Sequence, residues 1–227
     1  LIDHCKKLGF DMRYVHLSSK YATDRYMAIE DKNGLFAAVA DVRCLELECF
    51  EIIKPLTDGR LGSLKSQPKR VVIADGNLPS KQLFDMAKSS VLSNCALKLA
   101  PASAQKVERL RVFCRRPSTV LYCNLREAEY LTGQKYENSL IASRGLLDIG
   151  FHRVVVTNGP KFACEAQHNM QPITQTPNEV KTLRVTGAGD VFMASHINAE
   201  LSGSSRDEAL AKAITAAGNY VSAKDCT

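Results

Sequence analysis

A glycine-rich turn with an aspartate precedes a long apolar stretch near the end of the chain, in the segment RVTGAGDVFMASHI. Glycine is typical of positions where the backbone turns tightly or approaches a ligand, and the apolar residues that follow recur at helical spacing. The segment predicts a loop that opens directly into a buried helix. Because the first N–H groups of a helix have no partner within it and carry partial positive charge, this start can bind an anion.

Phosphoryl transfer is the chemistry that these residue types suggest. We expect the backbone amides of Gly187, Ala188 and Gly189 to stabilise a transferring phosphoryl group, with Asp190 accepting the proton of the attacking hydroxyl. The transition state of such a transfer is loose, so positioning and charge stabilisation matter more than a strong base. The alternative is a tight turn whose aspartate only favours the helix N-terminus.

Two further loops carry residues of this kind. In CNLREAEYLTG, Asn124 is followed three residues later by Glu127, which is the pattern of a capping box at a helix start. The same two side chains could instead hold a hydrated magnesium ion and nucleotide phosphates, since magnesium keeps most of its waters and accepts one or two carboxylates. The two interpretations can coexist. In VVVTNGPKF, Thr157 and Gly159 end a strand at a turn that is either a simple connection or part of a phosphate site.

The elements that must position these loops are short apolar strands that alternate with helical stretches from Arg70 onward. The strands are RVVIAD, ALKLA, TVLYC and RVVVT, and the helical stretches between them include SKQLFDMAKSSV, SAQKVERLRVFC and REAEYLTG. This alternation predicts a mainly parallel sheet covered on both faces, and ligands of such sheets lie beyond the carboxyl ends of the strands.

A hairpin is predicted nearer the front. Two β-prone runs, 26–30 and 35–41, are joined by DKNG, which is a strong turn signal. The stretch GSLKSQ, residues 62–67, is expected to be a mobile loop.

Composition limits the class of protein. The chain has 227 residues, 45% of them apolar, and a formal net charge of +6 that suits a phosphorylated ligand. Its basic residues are spread out rather than clustered, so nucleic acid is a weak alternative. No run is long enough to span a membrane, which predicts a cytoplasmic protein or one in an organelle such as the peroxisome or mitochondrion. The eight cysteines are scattered, which favours reduced thiols over disulfides or a zinc site.

The order of these motifs, strand-NxxE-helix, then strand-TxG, then TGAGD-helix, resembles the ribokinase-like or PfkB-type sugar kinase family. The resemblance implies a three-layer α/β/α sandwich with a mainly parallel sheet and a small β-sheet lid, here the hairpin at about residues 21–42. It also implies that ATP phosphorylates a hydroxymethyl group of a sugar or nucleoside. By position it assigns the following roles: Asp190 as the base, Gly187, Ala188 and Gly189 as the anion hole, Asn124 and Glu127 as the magnesium and phosphate motif, and Thr157, Gly159 and Thr186 as nucleotide contacts.

Less specific motifs resemble one group within the family, the pseudouridine kinases, which phosphorylate the 5′-hydroxyl of the nucleoside pseudouridine. The lid segment, DGNLP and APASAQKVERL imply that Asp41, Asn77, Ser103 and Lys106 contact substrate or phosphate. For Lys106, a solvated helix lysine is the alternative. Ribose and other nucleosides stay open as acceptors, and the lid could also form a homodimer.

Several departures from the family pattern bear on function. Arg184 stands where relatives commonly have a smaller polar residue, so a potassium site beside the anion hole is in doubt. Phe162 replaces a usual glycine, and Arg25 stands where a lid threonine is expected. The family also has a strand, a sugar-binding aspartate and a Gly-Gly-Asn segment upstream of Leu1, and strands beyond Thr227. We therefore expect one kinase domain over residues 1–227 that is incomplete at both ends. A non-catalytic nucleotide-binding relative is the alternative to an active kinase.

Overall fold

A computed structural model describes residues 1–31, 34–61 and 70–223. The predicted turn at Lys32 and Asn33, and the loop GSLKSQ, lie outside the described residues. The helices are α1 (Ile2–Lys7), α2 (Arg43–Leu47), α3 (Cys49–Ile53), α4 (Ser80–Lys88), α5 (Leu125–Thr132), α6 (Ser139–Asp148), α7 (Ala188–Leu201) and α8 (Arg206–Val221). The strands are β1 (Arg25–Asp31), β2 (Gly34–Asp41), β3 (Val71–Asp75), β4 (Ala96–Ala100), β5 (Thr119–Asn124), β6 (Arg153–Asn158), β7 (Lys161–Gln167) and β8 (Ile173–Gln175).

The main sheet has six strands in the order β3-β4-β5-β6-β7-β8. Strands β3 to β6 run parallel, whereas β7 and β8 pair antiparallel. The mainly parallel sheet predicted from the strand–helix alternation is thus confirmed. Because Asp75 is the register partner of Ala100, and Asn124 that of Thr157, the loops after these strands leave from the same edge.

Both faces of the sheet are covered, which gives three layers. One core packs the sheet against α4, α5 and α6, and a second core packs the other face against α7 and α8. Strand β5 contributes to both, because Leu121 and Cys123 belong to the first core and Val120 and Tyr122 to the second. Side chains alternate between the faces of a strand, so a strand buried on both faces consists almost entirely of apolar residues.

Some elements differ from the sequence prediction. The stretch after β4 forms a 3₁₀ helix, Val107–Phe113, rather than an α-helix. Its buried side chains, Val107, Leu110 and Phe113, recur every three residues, which matches the three residues per turn of a 3₁₀ helix. Helices α1, α2, α3, α6 and α8 and strands β7 and β8 are elements that the sequence patterns did not predict.

The hairpin of β1 and β2 forms a separate two-stranded antiparallel sheet, in which Arg25 pairs with Asp41. Apolar side chains on both of its faces are exposed, namely Tyr26, Met27, Ile29, Phe36 and Val39. Asp24, just before β1, accepts hydrogen bonds from the N–H groups of Cys44 and Leu45 in α2, at 2.9 and 3.0 Å. The two ends of the hairpin are therefore joined at its base.

Two expectations from composition, reduced cysteines and no membrane-spanning segment, can be compared with the described part of the chain. The seven cysteines within it are free thiols, and Cys49, Cys95, Cys123 and Cys164 are buried. None of the helices in the described ranges has the length and apolar character needed to cross a bilayer.

Candidate active site

Helix α7 begins where the TGAGD motif predicts, with Gly187 as its N-cap and Ala188 as its first residue. Gly187 has φ 93°, a left-handed conformation that favours glycine. A Cβ atom at this position would lie 2.5 Å from the hydroxyl oxygen of Tyr220, so any larger residue would force this side chain to shift. That hydroxyl donates a hydrogen bond to the carbonyl oxygen of Thr186 at 2.8 Å.

Not all of the predicted anion donors are free. The N–H of Ala188 donates to the carbonyl oxygen of Val185 at 3.0 Å, so this amide is already used in the turn before the helix. Beside Gly189, by contrast, the position of a Cβ atom meets no other atom within 4 Å. A ligand could therefore approach the backbone closely at Gly189.

Asp190 lies in the first turn of α7. Its pKa is raised above the usual aspartate value, first by partial burial and second by the negative charge of Asp75. Asp75 is the last residue of β3, so the end of this strand and the start of α7 face the same space. The loop DGNLP was one of those predicted to carry ligand contacts, but the sequence reasoning selected Asn77 and missed Asp75. The signal was its position at the carboxyl end of a strand.

The loop that follows Asp75 is held by several contacts. Asn77 donates from its backbone N–H and from its side-chain amide to the carboxylate of Asp75, at 3.0 and 2.8 Å. The ammonium group of Lys106 donates to Oδ1 of Asn77 at 2.7 Å. The structure thus brings Asn77 and Lys106 together, and Lys106 is not the freely solvated lysine of the alternative interpretation.

The backbone of this loop is equally constrained. Gly76 donates to the carbonyl oxygen of Ala100 at 2.8 Å, and a Cβ atom on Gly76 would lie 2.2 Å from the carbonyl oxygen of Pro101. Arg109 donates to the carbonyl oxygens of Gly76, Asn77 and Leu78 at 3.1 to 3.4 Å. The loops after β3 and β4 are consequently packed as one unit. Ser103 belongs to the second of these loops, and the carbonyl oxygen of this residue accepts from the N–H of Lys106 at 3.1 Å.

Asn124 and Glu127 form the capping box predicted for the start of α5. The side-chain oxygen of Asn124 accepts from the N–H of Glu127 at 2.9 Å, and the carboxylate of Glu127 accepts from the N–H of Asn124 at 2.8 Å. Burial raises the pKa of Glu127, partly offset by the hydrogen bond from Asn124. Thr157 is the register partner of Asn124 on β6, and Gly159, at φ 55°, forms the tight turn from β6 to β7.

These residues fit a magnesium ion held mainly by waters and phosphates. Within the described ranges no cluster of three or more His, Cys, Asp or Glu side chains could hold a metal ion, so a protein cage is not formed there. Magnesium needs only one or two carboxylates beside substrate phosphates. One carboxylate oxygen of Glu127 accepts the capping hydrogen bond, and the carboxylate offers a second oxygen for a hydrated ion.

Asp41 and Arg184, two positions that the sequence singled out, each make well-defined contacts. Asp41, at the end of β2, accepts from Arg43 at 2.8 and 2.6 Å, and this pairing lowers its pKa to about 2. The guanidinium of Arg184 lies 3.8 Å from the centre of the Tyr220 ring and donates to the carbonyl oxygen of Tyr220 at 2.9 Å. Arg184 is therefore held at the end of α8, next to the residue that contacts the turn before α7. Tyr220 carried no sequence signal for this contact.

A groove of about 190 Å³ lies beside that contact. The chain after β8 and helix α8 line it, with Gln175, Asn178, Val180, Ile214 and Asn219 among the lining residues. Because Asn219 is adjacent to Tyr220, the groove lies close to the start of α7.

The fold is a three-layer α/β sandwich, a class in which ligands generally bind beyond the carboxyl ends of the strands. The family model that describes the pfkB family carbohydrate kinases matches residues 1–227. The chain therefore belongs to the pfkB family of carbohydrate kinases, which are phosphotransferases with an alcohol group as acceptor. Kinases of this family use ATP, typically with Mg²⁺.

Solved structures agree on the ribokinase-like fold. A carbohydrate kinase from Agrobacterium tumefaciens is similar with a TM-score of 0.72 at 22% identity, covering 99% of this chain and 71% of that one. The ribokinase from Thermotoga maritima is similar with a TM-score of 0.73 at 23% identity, covering 97% and 69%. The Arabidopsis thaliana ribokinase complexed with ribose and ATP has a TM-score of 0.57 at 23% identity, covering 74% and 52%. No curated protein sequence matches the chain.

Proposed function

We propose that this protein transfers the γ-phosphoryl group of ATP to the hydroxymethyl group of a nucleoside or sugar, with pseudouridine as the preferred acceptor. The observation that carries the proposal is the position of Asp190, in the first turn of α7 and within electrostatic range of the carboxylate of Asp75. The preference for pseudouridine rests on the similarity of three segments to those of pseudouridine kinases, namely the lid segment, DGNLP and APASAQKVERL. Ribose and other nucleosides are the competing acceptors.

Asp190 acts as the base. The acceptor oxygen forms its bond to the γ-phosphorus while the bond from this phosphorus to the bridging oxygen breaks, ADP leaves, and the hydroxyl proton passes to the Asp190 carboxylate. The raised pKa of Asp190 suits this role, because a carboxylate with a higher pKa is a better proton acceptor. The amides around Gly189 and the dipole of α7 stabilise the charge on the transferring group.

The remaining candidate residues bind the two substrates. Asn77, Lys106 and Ser103 contact the acceptor from the joined loops after β3 and β4. Glu127 and Asn124 hold hydrated magnesium when it is bound, which neutralises charge on the phosphates, and Thr157, Gly159 and Thr186 line the phosphate path. The groove beside α8 takes the base of the nucleotide, since it combines apolar side chains with amide groups and lies near the start of α7.

The hairpin of β1 and β2 is the lid. It carries Asp41 toward the acceptor, and its exposed apolar side chains cover the acceptor or pair with the hairpin of a second copy. Sedimentation of the wild type and of Phe36→Ser tests the second role. A dimer that the substitution converts to a monomer supports pairing, and a monomeric wild type excludes it.

An ATP-consumption screen tests the proposed reaction. The acceptors are pseudouridine, uridine, adenosine, ribose and fructose, and the control enzymes are Asp190→Asn and Asp148→Asn. Asp148 is a matched control because it is exposed at the end of α6, at the opposite edge of the sheet. We expect turnover with pseudouridine above the others and a loss of about 10²–10⁴-fold in Asp190→Asn, the range for removal of a general base. Unchanged turnover in Asp190→Asn excludes this base, and nucleotide binding without turnover on any acceptor favours the non-catalytic relative.

A further inference from the structure

A cluster of charged and polar side chains is buried between α7 and the sheet, although this interface is otherwise apolar. We name it the α7 network. It consists of Lys98, Tyr122, Arg153, Glu165, His196, Glu200 and Arg206. None of these residues belongs to the candidate active site.

Glu165 on β7 is the centre of the network. Its side chain is fully buried, and its carboxylate accepts three hydrogen bonds. The donors are Nε of Arg153 at 2.8 Å, Nε of Arg206 at 2.6 Å and Nε2 of His196 at 3.1 Å. Burial alone would raise its pKa, but the hydrogen bond from His196 and the charges of the two arginines lower that pKa to about 2. A buried carboxylate with three donors is satisfied in one geometry only, so it fixes the positions of its partners.

His196 connects Glu165 to the next strand. Its ring is fully buried, with Nε2 facing Glu165 and Nδ1 lying 3.0 Å from the hydroxyl of Tyr122. A neutral ring with the proton on Nε2 donates to Glu165 and accepts from Tyr122, so one tautomer satisfies all three groups. The ring also stacks on Phe192 of the same helix, with the planes 12° apart.

A second point of attachment lies one turn further along α7. Glu200 accepts from the ammonium group of Lys98 at 2.6 Å and also from Arg153. Residues four apart project from the same face of a helix, so His196 and Glu200 attach one face of α7 to the sheet at two points. Two such points define both the rotation and the register of the helix, which non-directional apolar contacts do not.

The strands in this network are those that carry the candidate site. Tyr122 lies two residues before Asn124 on β5, and Arg153 lies on β6, which ends with Thr157 and Asn158. Lys98 lies on β4, whose following loop carries Ser103. Asp190 is six residues before His196, or about 9 Å along the helix axis at 1.5 Å per residue. The network thus fixes α7 relative to the strands whose ends carry the other site residues.

We propose that His196 is a positioning residue for phosphoryl transfer, which holds Asp190 and the first turn of α7 in register with the loops after β4, β5 and β6. The inference rests on the proposed function. Misplacing a reacting group by about 1 Å can cost roughly 10²-fold in rate, so a small shift of α7 is enough to matter.

The variant His196→Leu tests this against a matched control, Ile197→Ala. Ile197 is the neighbouring residue on α7 and is also buried, but it belongs to the apolar core rather than to the network. Both variants should lower the melting temperature. We expect His196→Leu to lower kcat by about 10- to 100-fold with KM for both substrates nearly unchanged, and Ile197→Ala to leave kcat within about threefold. His196→Gln, which can still donate and accept, should recover part of the loss.

Hydrogen exchange gives a readout that does not depend on activity. We expect exchange of the hydrogen-bonded amides of Ala188 and Val191, at the start of α7, to rise by at least about tenfold in His196→Leu and not in Ile197→Ala. Tyr122→Phe, which removes one hydrogen bond and keeps the ring, should show the same effect at smaller size, and it replaces His196→Leu in the test if that variant does not fold.

Unchanged exchange in the first turn of either network variant, or equal kcat losses in His196→Leu and Ile197→Ala, overturns the inference. A wild type that is inactive on every acceptor refutes the proposed function, and the exchange data still decide whether the network positions the helix.

Discussion

The hydroxyl of Tyr220 donates a hydrogen bond to the carbonyl oxygen of Thr186, and it occupies the space that a side chain at residue 187 would need. One tyrosine at the end of α8 thereby supports the turn that precedes α7. The same tyrosine holds the guanidinium of Arg184 against its ring. The geometry of the turn before α7 therefore depends on a residue that follows it by more than thirty positions.

Gly187→Ala should impair this turn. The added Cβ atom would lie 2.5 Å from the Tyr220 hydroxyl in a backbone conformation of φ 93°. We expect a loss of about 1–3 kcal/mol in the free energy of unfolding, measured by urea denaturation, together with a fall in kcat. Tyr220→Phe alone should cost about 0.5–1.5 kcal/mol through its lost hydrogen bond. Because Tyr220→Phe removes the clashing oxygen, the double variant should lose less stability than the two single losses added together, whereas strict additivity would show that the two residues do not interact.

The pH dependence of turnover should respond to Asp75. Its negative charge favours the protonated form of Asp190, so removing that charge in Asp75→Asn should lower the pKa of Asp190. A base works only when deprotonated, so the acid limb of kcat/KM should move to lower pH in this variant. The measurement is a pH–rate profile of the wild type and Asp75→Asn. A limb that stays in place or moves upward contradicts the pairing of the two carboxylates.

Glu127→Gln separates the two roles of the capping box. Glutamine can still accept the N–H of Asn124, so we expect the melting temperature to change little. Loss of the carboxylate should raise the magnesium concentration needed for half-maximal rate by about tenfold. Asn138, which caps α6 through its side chain, offers a matched control. Asn138→Ala should lower the melting temperature without changing the magnesium requirement. If Glu127→Gln changes only stability, the capping role is its whole function.

Arg184 should make the enzyme weakly dependent on potassium. Its permanent charge is fixed beside Tyr220 and close to the turn before α7, so a nearby monovalent cation would be repelled. The test compares rates with and without KCl at an ionic strength held by tetramethylammonium chloride. Arg184→Ser should become more responsive to potassium than the wild type. Many-fold activation of the wild type would show that a cation site exists despite this charge.

The α7 network should make stability fall in acid. The pKa of Glu165 is lowered to about 2 in the folded protein, whereas an unfolded glutamate titrates near its ordinary value. A depressed folded-state pKa contributes stability above the unfolded pKa, and that contribution is lost as pH falls toward the folded one. We therefore expect a loss of about 3 kcal/mol between roughly pH 4.5 and pH 2 from this group alone. Denaturation curves of Glu165→Gln should lack this part of the pH dependence, and identical acid profiles would contradict it.

Local patterns predicted much of the fold. The segment ALKLA gave strand β4 at its observed bounds, and Asn124 with Glu127 marked the start of α5, because both signals depend on neighbouring residues. The capping box of Ser205 and Glu208 would have marked α8 in the same way. The rule that strand ends meet at one edge of the sheet brings the loops after β3 and β4 together, but Asn77 and Lys106 were selected from those loops through the family resemblance. The lid and the roles of the site residues stay predictions.

Long-range partners could not be predicted from one sequence. Lys98 and Glu200 form a hydrogen bond although they are 102 positions apart in the sequence. Each is a charged residue of a type that is usually exposed, so nothing next to it in the sequence indicates this partner. The influence of Asp75 on Asp190 likewise depends on how strand β3 and helix α7 lie in space. The 3₁₀ helix is a different case from these long-range contacts. The three-residue spacing of its apolar side chains is present in the sequence, but the same spacing is also compatible with an α-helix.

Asp24 links the start of the hairpin to the helix that follows it. Since this carboxylate caps α2 while lying just before β1, the strand that enters the ribbon and the helix that leaves it are fastened at one point. If the hairpin moves relative to the main sheet, we expect the torsional change to fall on the few backbone bonds beside Asp24 and Val42. Asp24→Ala would remove this link and free the hairpin from α2, while the two strands stay paired with each other.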